Sequence, residues 1–76
     1  MAQWEYICSE QKIQDEEGGP RAAYRLAVLD DAGMALLSVG DVCGSERRAR
    51  ELEDLFRRNQ VAPVHVLDVL EDWLAL

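Results

Sequence analysis

The first half of the chain alternates apolar and polar residues with a period of two, which is typical of β-strands. Residues 4–13 and 23–29 follow this pattern, and residues 34–39, which come after a short turn segment, are taken as the returning third strand. In the first segment Tyr6 and Cys8 share one side, and in the second Tyr24, Leu26 and Val28 do. We therefore expect three strands, the first two of which have one mainly apolar side.

The segments between these strands carry turn residues. Residues 15–21 read Asp-Glu-Glu-Gly-Gly-Pro-Arg, and we expect them to form a solvated turn that interrupts the strand pairing. Residues 30–33 read Asp-Asp-Ala-Gly, where aspartate oxygens can bind local backbone N–H groups and glycine can adopt a positive φ. A short hairpin loop is predicted there.

The second half has a helical period. Ser45 is a suitable N-cap, and the residues after it place an apolar stripe on one side of a helix that ends near Asn59-Gln60. The stripe consists of Ala49, Leu52, Leu55 and Phe56. Arg48 falls at the edge of this stripe, where its stem can lie on apolar surface.

A second helix is predicted from Pro63, whose missing N–H is harmless in a first turn. Its apolar arc is wide and consists of Val66, Leu67, Val69, Leu70, Trp73 and Leu74. Short connections favour an antiparallel meander of three strands followed by two helices on one face. We expect an α+β fold in the order β-β-β-α-α, with residues 1–76 as a single small acidic domain.

Composition narrows the class of protein. Fifteen acidic against eight basic residues give a net charge of −7, which argues against direct binding to nucleic acid or to an anionic membrane. No apolar run is long enough to span a bilayer, and the N-terminus lacks the features of a signal peptide. Cys8 and Cys43 are too few for a disulfide scaffold. We expect a cytoplasmic protein with reduced thiols.

Arginines are concentrated in the first helix, and read alone they resemble a nucleic-acid or phosphate-binding patch. Acidic residues alternate with them, and Glu53–Arg57 and Asp54–Arg58 have the favourable i,i+4 order for ion pairs. Arg50 can reach the same two acids. We interpret this side of the helix as a solvent face with ion pairs.

Catalytic and metal chemistry find little support. His65, Asp68 and Asp72 have the spacing i, i+3, i+7, but a fourth ligand with clear spacing is missing. His65 is the single histidine, and no nucleophile motif or phosphate-binding glycine loop occurs. The sequence predicts a non-enzymatic protein without metal or cofactor.

Several segments resemble a family of short uncharacterised bacterial proteins. They are residues 24–28, the Asp-Asp-Ala-Gly turn, and above all residues 61–74, with the pattern Pro-x-His-x-x-Asp-x-x-Glu-Asp-aromatic-Leu. The resemblance covers roughly residues 24–74 and leaves the first strand unmatched. It implies the fold and a bacterial origin but no activity.

The leading hypothesis is a non-enzymatic protein-interaction module whose partner is another protein, with a homodimer as its simplest form. Binding is expected through the open face of the sheet or through an acidic ridge beside an exposed end of Trp73 on the last helix. The candidate residues of that ridge are Asp68, Glu71, Asp72, Trp73 and Leu76. In the homodimer, Leu70 and Leu74 would extend the contact.

The alternative is a small acidic inhibitor of the phage or mobile-element type. Such a protein imitates nucleic acid, with carboxylates in the place of phosphates, and blocks the basic cleft of a nucleic-acid enzyme. The candidate residues are Asp15, Glu16, Glu17, Asp30, Asp31 and Asp41. This hypothesis requires them to line one side of the molecule.

Overall fold

The computed structural model describes residues 3–75, apart from the side chain of Asp15. Its elements are β1 (Glu5–Asp15), β2 (Gly19–Leu29), β3 (Ala35–Cys43), α1 (Glu46–Asn59), a 3-10 turn (Pro63–His65) and α2 (Val66–Leu74). The strands form one antiparallel sheet in the order β1-β2-β3. The predicted α+β fold and its β-β-β-α-α order are confirmed.

The connection between β1 and β2 is much tighter than predicted. Pairing runs without interruption from Glu5 opposite Leu29 to Asp15 opposite Gly19, so the turn itself is only residues 16–18. The expectation that residues 15–21 interrupt the pairing was wrong. Gly19 has a φ of +77°, which lets the chain reverse immediately and re-enter the ladder.

Pro20 is tolerated in the central strand because of where its missing N–H would lie. Pro20 is four residues before Tyr24, so its backbone nitrogen points to the same side of β2 as the backbone groups of Tyr24, which face β3. The pairing with β3 ends at Tyr24 opposite Cys43, so none of the strands in residues 3–75 lies beside Pro20 on that side. A proline without a donor therefore costs the sheet no hydrogen bond.

β3 is longer than predicted and is bulged. Between Leu26 opposite Val39 and Tyr24 opposite Cys43, β3 uses two more residues than β2 does. Asp41 in this bulge has a left-handed φ of 55°, which aspartate tolerates better than most residues. The bulge carries the strand four residues beyond the expected end at residue 39.

The hairpin loop between β2 and β3 is the one that the sequence predicts. Asp30 Oδ1 accepts hydrogen bonds from the backbone N–H groups of Ala32 and Met34, both at 2.9 Å. Gly33 has a φ of +84° and donates its N–H to the Asp30 carbonyl at 3.0 Å. Asp30 is thus occupied in shaping the loop.

The caps of α1 agree with the prediction. The Ser45 hydroxyl accepts a hydrogen bond from the N–H of Arg48 at 3.2 Å, and the helix ends where Gln60 takes a left-handed φ of 44°. Both caps bind backbone groups that a helix terminus leaves without a partner.

One hydrophobic core lies between the sheet and the two helices. Its buried members are Tyr6, Cys8, Tyr24, Leu26, Val28, Val42, Ala49, Leu52, Phe56, Val66, Leu70 and Trp73. The predicted inner sides of β1 and β2 are therefore confirmed. On α2 the arc is narrower than predicted, because Leu67 and Leu74 stay exposed on its flank.

The stripe of α1 needs one correction. Leu55, placed in the core by its apolar character, is only half-buried, whereas Glu53 is 8% exposed. At 100° per residue, Glu53 lies about 40° from Ala49, inside the buried side, whereas Leu55 falls about 60° outside Leu52. Angular position, not polarity, decides which of the two is buried.

Candidate interaction surface

The two faces of the sheet have different environments. One face lies under the helices, and the other is left uncovered by the described residues. The uncovered face carries a row formed by Ile7, Ala27 and Ser38, which the strand register places side by side. Ile7 is 42% exposed, and Leu36, which alternates with Ser38, is 47% exposed. These side chains form an apolar patch near the β2–β3 loop.

The opposite end of the same face is polar, and its groups are linked by hydrogen bonds. Gln11 accepts a hydrogen bond at its Oε1 from the N–H of Asp41, which connects β1 to β3 across β2. Arg21 binds both carboxylate oxygens of Asp41, at 3.3 and 2.9 Å. Hydrogen bonding to Arg21 lowers the pKa of Asp41. This end is stabilised by hydrogen bonds between its own groups, whereas the apolar side chains of Ile7 and Leu36 form none.

The two edges of the sheet also differ in how their backbone groups are bound, and those of β1 are bound by a helix. Helix α1 runs along β1, and its side chains bind the backbone groups that face away from β2. The Glu53 carboxylate accepts a hydrogen bond from the N–H of Cys8, and Arg50 donates to the Cys8 carbonyl at 3.2 Å. Arg50 also donates to Glu53 at 2.9 Å, which raises the pKa of Arg50. The edge at Cys8 is therefore closed.

The same capping continues toward the start of β1. Arg57 donates to the Tyr6 carbonyl at 3.3 Å and to Glu5 Oε1 at 2.8 Å. Gln60 accepts from the Trp4 N–H at 3.0 Å and donates to the Trp4 carbonyl at 3.3 Å. Side chains of the helix take the place that a further strand would have along Trp4 to Cys8.

The edge formed by β3 is open. Since the backbone groups of Cys8 face away from β2, alternation makes those of Leu26 face β3, where Val39 pairs with it. The N–H and C=O groups of Ser38 and Leu36 must then point outward. Within residues 3–75, no side chain or backbone group forms a hydrogen bond with them. An uncovered strand edge thus borders the apolar patch.

The acidic ridge on α2 is only partly as expected. Asp68, Glu71 and Asp72 are exposed on the outer side of the helix. Trp73, expected to show an exposed end, is only 9% exposed and lies in the core with the Arg48 guanidinium 4.3 Å from its ring centroid. Trp73 is covered because Arg48 stacks on the ring by a cation–π contact. Leu76 lies outside the described residues.

The carboxylates proposed to imitate nucleic acid do not form one row. Glu16 and Glu17 lie at one end of the sheet and Asp31 at the other, separated by the length of β2. Ten residue steps of roughly 3.3 Å make this distance roughly 33 Å. Asp41 is paired with Arg21, and Asp30 shapes its loop. The described carboxylates are therefore not arranged as one continuous row, and Asp15 has no described side chain.

The ion pairs of α1 differ from the predicted ones. Arg57 pairs with Glu5 of β1 at 2.8 Å and approaches Asp54, rather than pairing with Glu53. Arg58 donates to the Asp54 carbonyl instead of its carboxylate. The reason is that Glu53 faces β1, so the arginines on both sides of it also turn toward the strand. The predicted Arg50–Glu53 contact is present.

The two thiols are free in the structure. Burial, followed by the nearby Glu53 and Cys43, raises the pKa of Cys8 to about 12, so this thiol is protonated at neutral pH. His65 precedes α2 in the 3-10 turn, out of the regular helical spacing assumed for a site with Asp68 and Asp72. Within the described part of the chain, no three His, Cys, Asp or Glu residues are grouped to hold a metal ion.

Sequence reasoning missed the capping function of Glu53, Arg50 and Gln60. Glu53 carried a signal, because it is four residues after Ala49 and three before Phe56, the spacing of a buried helix side. No sequence signal indicated the contacts of Arg50 and Gln60, because these contacts depend on how α1 lies against β1.

Comparisons with known proteins give one match. The Family of unknown function (DUF6514) matches residues 1–76, including the first strand that the sequence resemblance left out. Neither the curated proteins nor the solved structures contain a match. In the part of the chain that the structure describes, no helix has the length and apolarity needed to cross a membrane. Because the match extends from the first residue to the last, the chain belongs to the family of unknown function DUF6514.

Proposed function

We propose that this domain is a non-enzymatic protein-interaction module that binds through the uncovered face of its sheet. The observation that carries the proposal is the apolar patch around Ile7 and Leu36, which directly borders an open strand edge. Large apolar side chains exposed together on a small domain favour contact with another protein. An adjoining edge adds directional backbone hydrogen bonds to that contact.

The chemistry of the patch favours a polypeptide strand as the occupant. Leu36 supplies apolar area, and the outward N–H and C=O groups of Ser38 require a donor and an acceptor at strand spacing. Residues 34–40 carry no charge, although the molecule has a net charge of −7. A basic cleft or a nucleic acid would have no counterpart here, whereas a neutral strand with apolar side chains would.

A matched pair of variants tests this proposal. Leu36→Lys introduces a charge into the patch, and Leu67→Lys introduces the same charge at a site of nearly equal exposure on α2, 51% against 47%. Wild-type and variant domains are immobilised, and proteins are captured from a bacterial lysate, since the resemblance implies a bacterial origin. We expect a defined set of proteins that wild type and Leu67→Lys retain and Leu36→Lys loses.

The remaining outcomes contradict the proposal in distinguishable ways. If Leu67→Lys loses the captured proteins and Leu36→Lys keeps them, binding occurs on α2. If the captured protein is a nucleic-acid enzyme that leaves at high salt, the inhibitor hypothesis is favoured, because exposed charge contacts are screened. If none of the three domains retains any protein, including tagged wild-type domain added to the lysate, the domain is not an interaction module of this type.

A further inference from the structure

From the difference between the two sheet edges, we infer that the strand bound at this surface is β3 of a second copy of the same chain. This inference rests on the proposed function and names its partner. Two β3 strands would pair antiparallel around a two-fold axis and join two three-stranded sheets into one sheet of six strands. The contact is isologous, so one surface serves both copies.

The two edges differ in how well they suit such pairing. The β1 edge is occupied at Trp4, Tyr6 and Cys8 by side chains of α1 and of its C-cap Gln60, and its second half carries charged residues, which disfavour strand addition. At the β3 edge, the outward groups of Leu36 and Ser38 are left open by the described residues. An open edge is a template for strand addition, and native domains normally block it with charge, proline or a covering element. Residues 35–40 have no charge and no proline.

Electrostatics favours this edge for contact between identical acidic molecules. Each copy brings a charge of −7, so surfaces rich in carboxylates repel one another. Residues 35–40 carry no charge, so two copies approach there with less repulsion than at surfaces rich in carboxylates. The acidic side of α2, with Asp68 and Asp72, is the least suitable surface for the same reason.

The positions of the outward groups define a register. With the two-fold axis at Ser38, the two Ser38 residues exchange both N–H···O=C bonds, and Leu36 of each copy lies opposite Gly40 of the other. Gly40 has no side chain, and Gln11 Oε1 and Arg25 Nη2 lie 3.3 and 3.9 Å from the position that a Cβ would take there, so Leu36 of the second copy would pack against these two side chains. The bulge at Asp41 turns the strand away and ends the contact.

The test removes one backbone donor without disturbing the domain. In Ser38→Pro the lost N–H is one that faces away from β2, so pairing within the sheet is retained. Sedimentation equilibrium should show wild type and Ser38→Ala in a concentration-dependent monomer–dimer equilibrium. We expect the dissociation constant of Ser38→Pro to rise at least tenfold, with an unchanged circular dichroism spectrum at low concentration.

A second variant keeps the inference testable if Ser38→Pro does not fold. In a Cys43→Ser background, Ser38→Cys places two thiols on the axis at a Cα separation of about 5.5 Å, which suits a disulfide. Oxidation should yield covalent dimers for Ser38→Cys but not for Ser9→Cys, which is also an exposed position, on β1. Equal cross-linking of both would overturn the inference.

The failure of this inference differs from the failure of the proposed function. A wild-type domain that is monomeric at millimolar concentration, or a dimer that Ser38→Pro leaves intact, overturns β3 self-pairing. If Leu36→Lys still abolishes capture of other proteins in that case, the interaction module remains and its partner is a different chain.

Discussion

Glu53 is the residue that sets the position of α1 on the sheet. Its carboxylate lies between the Cys8 N–H and Arg50, so one buried acid satisfies a strand donor and a helix cation together. A buried carboxylate without partners would be costly, and these two contacts make its burial compatible with folding.

Replacing Glu53 tests this function at the level of stability. Glu53→Ala leaves the Cys8 N–H buried without an acceptor, and we expect the free energy of unfolding to fall by about 1–3 kcal/mol. Glu53→Gln keeps an acceptor oxygen and should lose about 1 kcal/mol. The control Glu51→Ala, whose side chain is exposed, should change stability by less than about 0.5 kcal/mol. Urea unfolding measures all three, and an equal loss in Glu51→Ala would contradict the account.

Cys8 gives a second prediction at this scale. Burial raises its pKa to about 12, and the thiolate is the form that reacts with alkylating agents. We expect iodoacetamide at neutral pH to modify Cys43 before Cys8, whose modification should follow the rate of unfolding. Mass spectrometry of timed samples measures this order. Modification of Cys8 as fast in native protein as in urea would show that the core around β1 is open.

At the scale of elements, the sequence predicted the order and the inner sides well because alternation and helical spacing report directly on burial. It did not predict that residues 15–21 continue the ladder, because this depends on Gly19 adopting a positive φ and on Pro20 lying where no strand needs its N–H. Nor did it predict the bulge at Asp41, since a bulge is a relation between two strands. The open β3 edge was likewise hidden, because edge status depends on topology.

The bulge of β3 should respond to acid. The pKa of Asp41 is lowered from its ordinary 3.8 by the hydrogen bond with Arg21, so the ionised carboxylate stabilises the folded state. This contribution is present above the unfolded pKa and is lost as pH falls through the lower folded pKa. We expect Asp41→Asn, which retains tolerance of a positive φ, to lose less stability than wild type as pH falls below 3.8. Thermal unfolding at stepwise pH measures it, and parallel curves would contradict it.

At the scale of the whole molecule, the net charge opposes contact between copies of the domain, whereas the geometry of the β3 edge favours it. The excess of acidic residues keeps copies apart over a range set by the ionic strength, while the neutral β3 edge allows close contact. The same balance explains why composition argues against nucleic-acid partners but does not locate the proposed binding surface.

Salt should therefore strengthen self-association. Raising NaCl from about 0.05 M to about 0.5 M shortens the screening length and weakens repulsion between copies, whereas backbone hydrogen bonds at β3 are little affected. We expect the dimer dissociation constant of wild type to fall as NaCl rises, and that of Ser38→Pro to stay at least tenfold above the wild-type value at both NaCl concentrations. Light scattering at matched protein concentrations measures this. Association that weakens with salt would indicate a contact built from opposite charges instead.

The central claim is that the sheet has a capped edge at β1 and an open edge at β3. Amide hydrogen exchange followed by NMR tests this claim most directly. In dilute protein, the account predicts slow exchange of the Cys8 amide, whose N–H binds Glu53, and of the Leu37 amide, whose N–H faces β2. It predicts fast exchange at Ser38, becoming slow as concentration rises and β3 strands pair. Fast exchange at Cys8, or a Ser38 amide as protected as Leu37 in dilute protein, would contradict the account.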